Sequence, residues 1–505
     1  MKKYLLASAS VAALFIAVPA IAQDASNNSN VTQSGDTQSA TVNQTGSNDV
    51  STIDQQTANN TALVNQAGIV GGSSSISQTG TGNHATVSTQ QDDGTTYPGG
   101  QSAEGGSYPP GAKPISVSSI EQGGNDNNAT VTQKTATSSL QNTSDINQGG
   151  STNNATVSQY DDFQTSSVAQ SSDTNTANVI QGLDNGADNS YGNSSTVAQG
   201  GSGVGGNTAN VTQTGIFGIS SVNQTGSNGN ASVTQHDGSD TATSYVTQAG
   251  NSDSATVDQS GDPQVSSVDQ EGDNEVANVT QTVANNTSGV SQSGPANYAD
   301  VTQNGNGNGS QITQSSAYGG YTSEGVFPSD SAYAYVEQIG DANNSSISQS
   351  GASNWAVLHQ DASNNGSTIN QTGNGTYANV SQTGDGNASS VTQSGIADNL
   401  NLDVGITQSG AGNLSTVSQS GAATVLNSYQ NTVNVDQSGN HNISSVDQSG
   451  TDNETRIAES GSSNVSGVLQ GGSDNHAFVN QLSDGNASYV AQSGTNSTAT
   501  VTQGS

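Results

Sequence analysis

The sequence has no cysteine and very few cations, prolines or aromatic residues. Without cysteine the fold cannot rest on disulfides. Lys and Arg total 5 against 40 Asp and Glu, which gives a formal net charge of −35. Binding to nucleic acid or to an anionic membrane surface needs clustered cations, so neither partner is expected. Hydrophobic residues make up only 29% of the chain, which is low for a globular domain.

The N-terminus carries the pattern of a secretory signal peptide. Lys2 and Lys3 precede an apolar run at residues 5–18, and small residues follow at 20–22. The run is too short to be a strong membrane span, and no other stretch approaches that length. We therefore expect residues 1–22 to be removed, the mature chain to begin near Gln23, and no insertion into a membrane.

A glutamine returns every eleven residues along almost the whole chain, with Val or Ile two residues before it. Four residues before the glutamine, Ser and Ala alternate, so the true unit has 22 residues and occurs about 19 times. A fixed period of this kind indicates stacked repeats. Gln90 is also expected to belong to this series, although it stands one residue later than the spacing requires. The residues expected to form a self-assembly ladder are Gln33, Gln44, Gln55, Gln66, Gln259, Gln270, Gln281, Gln292, Gln303, Gln314, Gln408, Gln419, Gln470, Gln481, Gln492, Gln503, Val268, Val279 and Val501.

Alternate residues of a strand share a face, so the repeat pattern predicts which side chains point inward. In the segment Asn-Ala-Thr-Val-Thr-Gln, Ala129, Val131 and Gln133 face one way, and this strictly repeated set should face inward. Gly-rich polar segments between strands predict turns. The prediction is an all-β parallel β-solenoid (β-helix) of about 19 strand-turn-strand-turn repeats, with two facing sheets and inward amide ladders.

The domain organisation follows from where the period is interrupted. We expect a short leader at 23–30 and one repeat domain at 31–505. Insertions near 91–114, 182–192, 315–330 and 420–431 should bulge from the edges of the rod. Two of these loops are rich in Tyr, and we expect small local clusters there, with contact to carbohydrate or a neighbouring fibre as the alternative.

The chain shows no pattern of catalytic or cofactor-binding residues. The five histidines lack the spacing of metal ligands, and no Gly-Lys-Ser/Thr phosphate loop is present. Turns containing Asp385 or Asp452 could bind calcium weakly, but a structural role is favoured because the Gly-Gly-x-Gly-x-Asp repeat is absent. We expect no enzyme, no cofactor and no metal site.

The repeats resemble a known family. The pattern Gln-x-Gly-x-Gly-Asn-x-Ser/Ala-x-x-x-Gln occurs at 303–314 and again at 408–419. It is similar to the curlin repeat of bacterial curli fibres. The resemblance implies a secreted subunit that polymerises into an extracellular functional amyloid, with itself or other curlin-like subunits, a curli-type export pore and a nucleator as partners. It also implies a role in biofilm matrix, adhesion and surface colonisation.

Three functional hypotheses remain at this point. The leading one is an amyloid-forming structural protein at the cell surface. The alternative is a monomeric β-solenoid adhesin that binds a surface or host ligand through its loops. A third, an ice-binding solenoid, needs a regular outward Thr array, which Asp, Asn and Ser interrupt here. The last repeat, ending at Gln503, has the standard strand pattern rather than a blocking cap, and an open end favours stacking.

Overall fold

The chain forms a long stack of short strands. The computed structural model describes residues 27–46, 48–67, 71–91, 116–135, 141–182, 190–201, 205–238, 240–315, 331–396, 402–422 and 431–504. The expected signal peptide lies outside these residues, as do most of the expected leader and the greater part of each expected insertion. The first strand begins at Asn28.

The strands belong to two sheets, named here for the residue four positions before the ladder glutamine. Odd-numbered strands form the Ser sheet: β1 (Asn28–Ser34), β3 (Val50–Gln56), β5 (Ser73–Gln78), β7 (Val117–Gln122), β9 (Thr143–Gln148), β11 (Thr165–Gln170), β13 (Ser194–Gln199), β15 (Ile219–Gln224), β17 (Thr243–Gln248), β19 (Gln264–Gln270), β21 (Asn286–Ser293), β23 (Gly309–Ser315), β25 (Asn344–Ser350), β27 (Gly366–Gln371), β29 (Ala388–Ile396), β31 (Leu414–Ala422), β33 (Ile443–Ser449), β35 (Val465–Gln470) and β37 (Ala487–Gln492). Even-numbered strands form the Ala sheet: β2 (Ser39–Gln44), β4 (Thr61–Ala67), β6 (His84–Gln91), β8 (Asn128–Thr135), β10 (Asn154–Tyr160), β12 (Thr176–Gln181), β14 (Thr208–Gln213), β16 (Asn230–Gln235), β18 (Ser254–Gln259), β20 (Val276–Gln281), β22 (Tyr298–Gln303), β24 (Tyr333–Gln338), β26 (Trp355–Gln360), β28 (Thr376–Gln382), β30 (Leu402–Gln408), β32 (Asn431–Gln437), β34 (Glu454–Glu459), β36 (His476–Gln481) and β38 (Thr498–Gln503).

Every strand from β1 to β36 pairs in parallel with the strand two positions later in the chain. The register follows the repeat, so that in the middle of the stack Val257 lies beside Val279 and Gln259 beside Gln281. Each turn of the solenoid therefore contributes one rung to each sheet, and the Ser sheet has 19 strands. This confirms the predicted all-β parallel solenoid with two parallel sheets.

The core is a thin layer of small apolar and polar side chains between the sheets. Within the stack, the inward Val, Ile and Ala residues are almost fully buried. Val268 and Val279, for example, are 1% exposed. Two Ser hydroxyls donate across the core: Ser51 Oγ to Gln66 Oε1 at 2.9 Å, and Ser118 Oγ to Gln133 Oε1 at 2.8 Å. Apolar and polar side chains thus alternate along one inward row.

Glycine is favoured at two positions of the repeat motif for different structural reasons. A Cβ on Gly80 would lie 1.8 Å from the Gly124 carbonyl oxygen, because successive turns stack directly on one another. Gly82 has a φ of 73°, in the left-handed region that favours glycine. Other rungs put Asp126 (φ 54°) or Thr152 (φ 59°) at this second position, so the turn shape is kept there without glycine.

The ladder position in β6 differs from the sequence-based expectation. Thr89, and not Gln90, lies beside Gln66 and Gln133 and is buried. Gln90 is exposed. The inward Val87 fixes this register, because a one-residue slip would turn every side chain of the strand to the other face.

The stacking register is unbroken across the gaps in the described chain. Ser74 of β5 pairs with Ser118 of β7, and Ala299 of β22 pairs with Ala334 of β24. The described residues form strands, turns and bends, and they include no helix with the length and apolar character needed to cross a bilayer.

Candidate self-assembly surface

The inward glutamines of the Ser sheet form one continuous amide ladder from Gln33 to Gln492. In each rung Nε2 donates to Oε1 of the glutamine in the next rung, at 2.7–3.0 Å. The second N–H points across the core: Gln270 Nε2 donates to the Ser254 carbonyl at 3.2 Å. Each amide therefore links rungs along the stack and also joins the two sheets.

The Ala sheet carries a second ladder with the same direction but two interruptions. Gln259 Nε2 donates to Gln281 Oε1 at 2.9 Å, and Gln281 Nε2 to Gln303 Oε1 at 2.8 Å. Thr89 interrupts the ladder near one end, and Glu459 replaces a glutamine near the other. Between these two positions the ladder runs unbroken.

The structure places every residue expected in the ladder on an inward row. These residues differ in exposure according to their place in the stack. Those within the stack are buried at 0–1% exposure, and they are Gln55, Gln66, Gln259, Gln270, Gln281, Gln292, Gln303, Gln314, Gln408, Gln419, Gln470, Gln481, Val268 and Val279. The remaining five lie in the terminal rungs and are partly or fully exposed: Gln33, Gln44, Gln492, Gln503 and Val501. Exposure of this row is therefore confined to the two ends.

The turns carry a further buried ladder, made of asparagines, which the sequence analysis did not predict. The backbone N–H of Asn83 donates to Asn60 Oδ1, and that of Asn127 to Asn83 Oδ1, both at 2.9 Å. Asn127 Nδ2 donates to the Gly150 carbonyl of the next turn at 2.7 Å. The signal was present in the sequence, since Asn stands two residues before Ser or Ala in many repeats, including the Gly-Asn step of the motif.

The two ends of the stack are open β-edges. Among the described strands, β1 and β2 pair only with β3 and β4, and β37 and β38 only with β35 and β36. Core side chains are correspondingly only partly buried there: Val31, Ala40, Val42, Ala499 and Val501. An edge with free backbone groups and an apolar row is a template for another strand.

The amide ladders give the two ends opposite hydrogen-bonding character. At the first rungs, Gln33 and Gln44 donate to the rung above, and their Oε1 atoms accept no bond in the described part of the chain. At the last rung, Gln503 Nε2 donates only to the Ala487 carbonyl, which leaves one N–H without an acceptor among those residues. One end therefore offers acceptors and the other offers a donor.

The outward faces are mostly polar, with one aromatic row. Tyr298, Tyr333, Trp355 and Tyr377 occupy the same outward position in four consecutive rungs of the Ala sheet, with neighbouring ring centroids 5.0, 4.4 and 6.3 Å apart. Trp355 is 46% exposed. Within the described residues, no group of three or more His, Cys, Asp and Glu side chains is placed to hold a metal ion.

A family model described as the Curlin associated repeat matches residues 340–373. The matched segment contains β25, β26 and β27, whose paired inward positions (Ser or Ala, then a branched apolar residue, then Gln) are those of the whole stack. A search of curated proteins gave no match. Because the matched rungs share their architecture, register and amide ladders with the remaining rungs, the chain is a curlin-repeat protein.

Proposed function

We propose that this chain is a secreted structural protein that self-assembles end to end into extracellular curli-like amyloid fibres. The observation that carries the proposal is the complementarity of the two ends. Among the described residues, Gln33 and Gln44 present acceptors without a partner in the first rungs, and Gln503 presents such a donor in the last. Placing the last rung of one copy under the first rung of another repeats the geometry found between any two rungs of the stack.

Such a junction joins different surfaces of the two copies and does not close. A heterologous, head-to-tail contact of this kind generates an open filament. Each junction would pair the free backbone edges and bury the half-exposed Val31, Val42 and Val501. The product is a continuous cross-β stack with a strand spacing of about 4.7 Å.

The biological setting follows from the sequence and from the family. The expected signal peptide at residues 1–22 supports export, and the curlin repeat supports assembly with copies of itself or with other curlin-like subunits. We extend the proposal to a curli-type export pore and nucleator as partners. Biofilm matrix, adhesion and surface colonisation are the corresponding roles, and no catalytic activity is part of the proposal.

A monomeric adhesin is the second candidate, and the aromatic row favours it. Tyr333 and Trp355 stand exposed or half-exposed on an outward face in the centre of that row. Exposed aromatic groups that are not needed for folding are common in binding surfaces. An adhesin of this kind would need no end-to-end contact, which separates the two candidates experimentally.

The test blocks one end while leaving the fold intact. In Val501→Lys, the ammonium can reach solvent in a single rod, but a second copy stacked on β38 would bury it without a partner. Thr500→Lys, one residue away on the outward face, is the matched control. We expect both variants to fold with the wild-type circular dichroism spectrum, and only Val501→Lys to lose elongation.

The polarity of the junction adds a second readout. Val501→Lys keeps a normal first rung, so it should add to growing wild-type fibres and then stop them, which makes it an inhibitor at substoichiometric ratios. Equal elongation of Val501→Lys and Thr500→Lys would show that this end is not the growing surface. A wild-type chain that stays monomeric at high concentration would overturn the fibre proposal and favour the adhesin.

A further inference from the structure

Besides Asp49 near the first rungs, three buried carboxyl groups occupy positions that belong to amides in the rest of the stack. Glu459 stands in the glutamine ladder of the Ala sheet. Asp253 and Glu275 stand in consecutive rungs of an asparagine ladder, between Gly229 and Asn297. All three are 0–1% exposed. An isolated carboxylate at such depth is costly, because nothing replaces the water it loses.

Glu459 breaks the chain of hydrogen bonds in the ladder, and a proton on its carboxylate would supply the missing donor. Its Oε2 accepts the Nε2–H of Gln437 at 2.8 Å, as a glutamine oxygen would. Its Oε1 takes the place of an amide Nε2 and has no partner, and Gln481 Oε1 in the next rung has none either among the described residues. Two acceptors, Glu459 Oε1 and Gln481 Oε1, therefore occupy the positions at which the neighbouring rungs place one donor and one acceptor.

No charged group compensates Glu459 in the described structure. Its neighbours in the ladder are the neutral Gln437 and Gln481, and Ser466 lies across the core. Burial raises the pKa of the Glu459 carboxyl, and the favourable interactions with Gln437 and with the Ser466 hydroxyl only partly oppose this rise. A proton on Oε1 would provide the donor that Gln481 Oε1 lacks.

Asp253 shows the same defect in the asparagine ladder. Elsewhere in this ladder, Asn207 Nδ2 donates to the carbonyl nineteen residues further on, that of Gly226, at 2.9 Å. The equivalent carbonyl for Asp253 is that of Gly272. Asp253 Oδ1 accepts the Glu275 N–H at 3.1 Å, but Oδ2, in the place of the amide nitrogen, has no partner within the described chain.

Glu275 places a second carboxyl directly above the first. Its Oε2 accepts the Gly272 N–H at 2.9 Å, and its Oε1 accepts Asn297 Nδ2–H at 3.1 Å. Burial raises the pKa of Asp253 to about 6 and that of Glu275 to about 7, and repulsion from Asp253 adds to the shift of Glu275. The other charged groups that face them are also acidic, Asp273 beside Asp253 and Asp269 beside Glu275.

We propose that the solenoid binds protons at Glu459 and at the Asp253–Glu275 pair as it folds, and that a carboxylic acid O–H there takes the place of the missing amide N–H. The direction of the pH dependence of stability follows from the linkage between proton binding and folding. The folded protein holds these protons at a pH where the unfolded chain has lost them, so stability is greatest at low pH and falls as the pH rises from about 4 to about 7. The inference concerns one folded chain and stands whether or not rods join end to end.

The test uses amide isosteres, which remove the titrating carboxyl groups without changing shape and restore the missing donor at positions 253 and 459. The triple variant Asp253→Asn/Glu275→Gln/Glu459→Gln is compared with Asp447→Asn, whose carboxylate is exposed on an outward face of β33. Denaturant midpoints are measured at about pH 5 and about pH 8, together with hydrogen exchange of the rungs around β20 and β34.

We expect the wild type and Asp447→Asn to lose protection in these rungs at the higher pH. The triple variant should keep it and be the more stable protein there. The infrared C=O band of a protonated carboxylic acid should be present in the folded wild type near pH 5 and reduced in the triple variant. A triple variant with the wild-type pH dependence, or one less stable than wild type at about pH 8, would overturn the proposal.

Discussion

Gln281, in the middle of the Ala-sheet ladder, offers a direct measure of what one amide contributes. It accepts from Gln259 Nε2 at 2.9 Å and donates to Gln303 Oε1 at 2.8 Å. It also donates across the core to the Val265 carbonyl at 3.2 Å. Gln281→Ala removes all three bonds at once. It leaves one N–H of Gln259 and Gln303 Oε1 without partners and takes a donor from the Val265 carbonyl.

The size of the effect follows from those stranded groups. A buried donor or acceptor without a partner costs about 1–3 kcal/mol, so the two stranded groups and the lost bond to Val265 should together cost the rung about 3 kcal/mol of local stability or more. Thr280→Ala, one residue away on the outward face, removes no hydrogen bond within the ladders and should change stability by less than about 0.5 kcal/mol. The contrast between adjacent residues controls for position in the stack.

Hydrogen exchange measured rung by rung is the appropriate assay, because stability in a repeat protein is largely local. We expect Gln281→Ala to reduce protection in β18, β20 and β22 by roughly 100-fold or more, since about 1.4 kcal/mol corresponds to a factor of ten. Distant rungs such as β34 should keep their protection. The reasoning fails if Thr280→Ala causes the same loss, or if Gln281→Ala leaves β20 unchanged.

A pair of substitutions tests the assignment of faces, and a deletion tests the assignment of an insertion. Val268→Lys should disrupt its rung, because a cation would sit unpaired in a thin core, whereas Asp269→Lys should shift the unfolding midpoint only slightly; equal midpoints would mean that the faces are assigned wrongly. Deleting residues 92–113 shortens the separation of Thr89 and Ser118 to the seven residues of a regular turn at this edge. Because the register already continues across this segment and loop length affects stability only weakly, thermal unfolding and fibre yield should stay near wild type, and loss of the fold would show that the segment is structural.

The inward row was predictable because two periods fix it together. Alternation within the strand decides the face, and the eleven-residue spacing decides the register. The prediction was wrong at Gln90 because it followed the residue type. Ala85 and Val87 are inward in β6, so the next inward position is Thr89, although it is not a glutamine. Spacing from the apolar residues was the better guide.

The asparagine ladder and the direction of the amides were harder to predict. Turn residues such as Asn83 do not alternate between faces, so strand periodicity gives no information about them, and only their recurrence two residues before Ser or Ala marks them. The direction of the glutamine ladder depends on how each amide satisfies a carbonyl of the opposite sheet, as Gln270 does with Ser254. That pairing requires knowing how the two sheets face each other.

The central claim is that one chain's ladders continue into the next chain. Electron microscopy combined with fibre diffraction on the purified mature chain tests it most directly. The account predicts unbranched fibres with an axial reflection at about 4.7 Å and a sheet-to-sheet reflection near about 10 Å, and density in which the last rung of one copy meets the first rung of the next without a break in register. Separate rods at high concentration, or fibres joined through their outward faces, would contradict it.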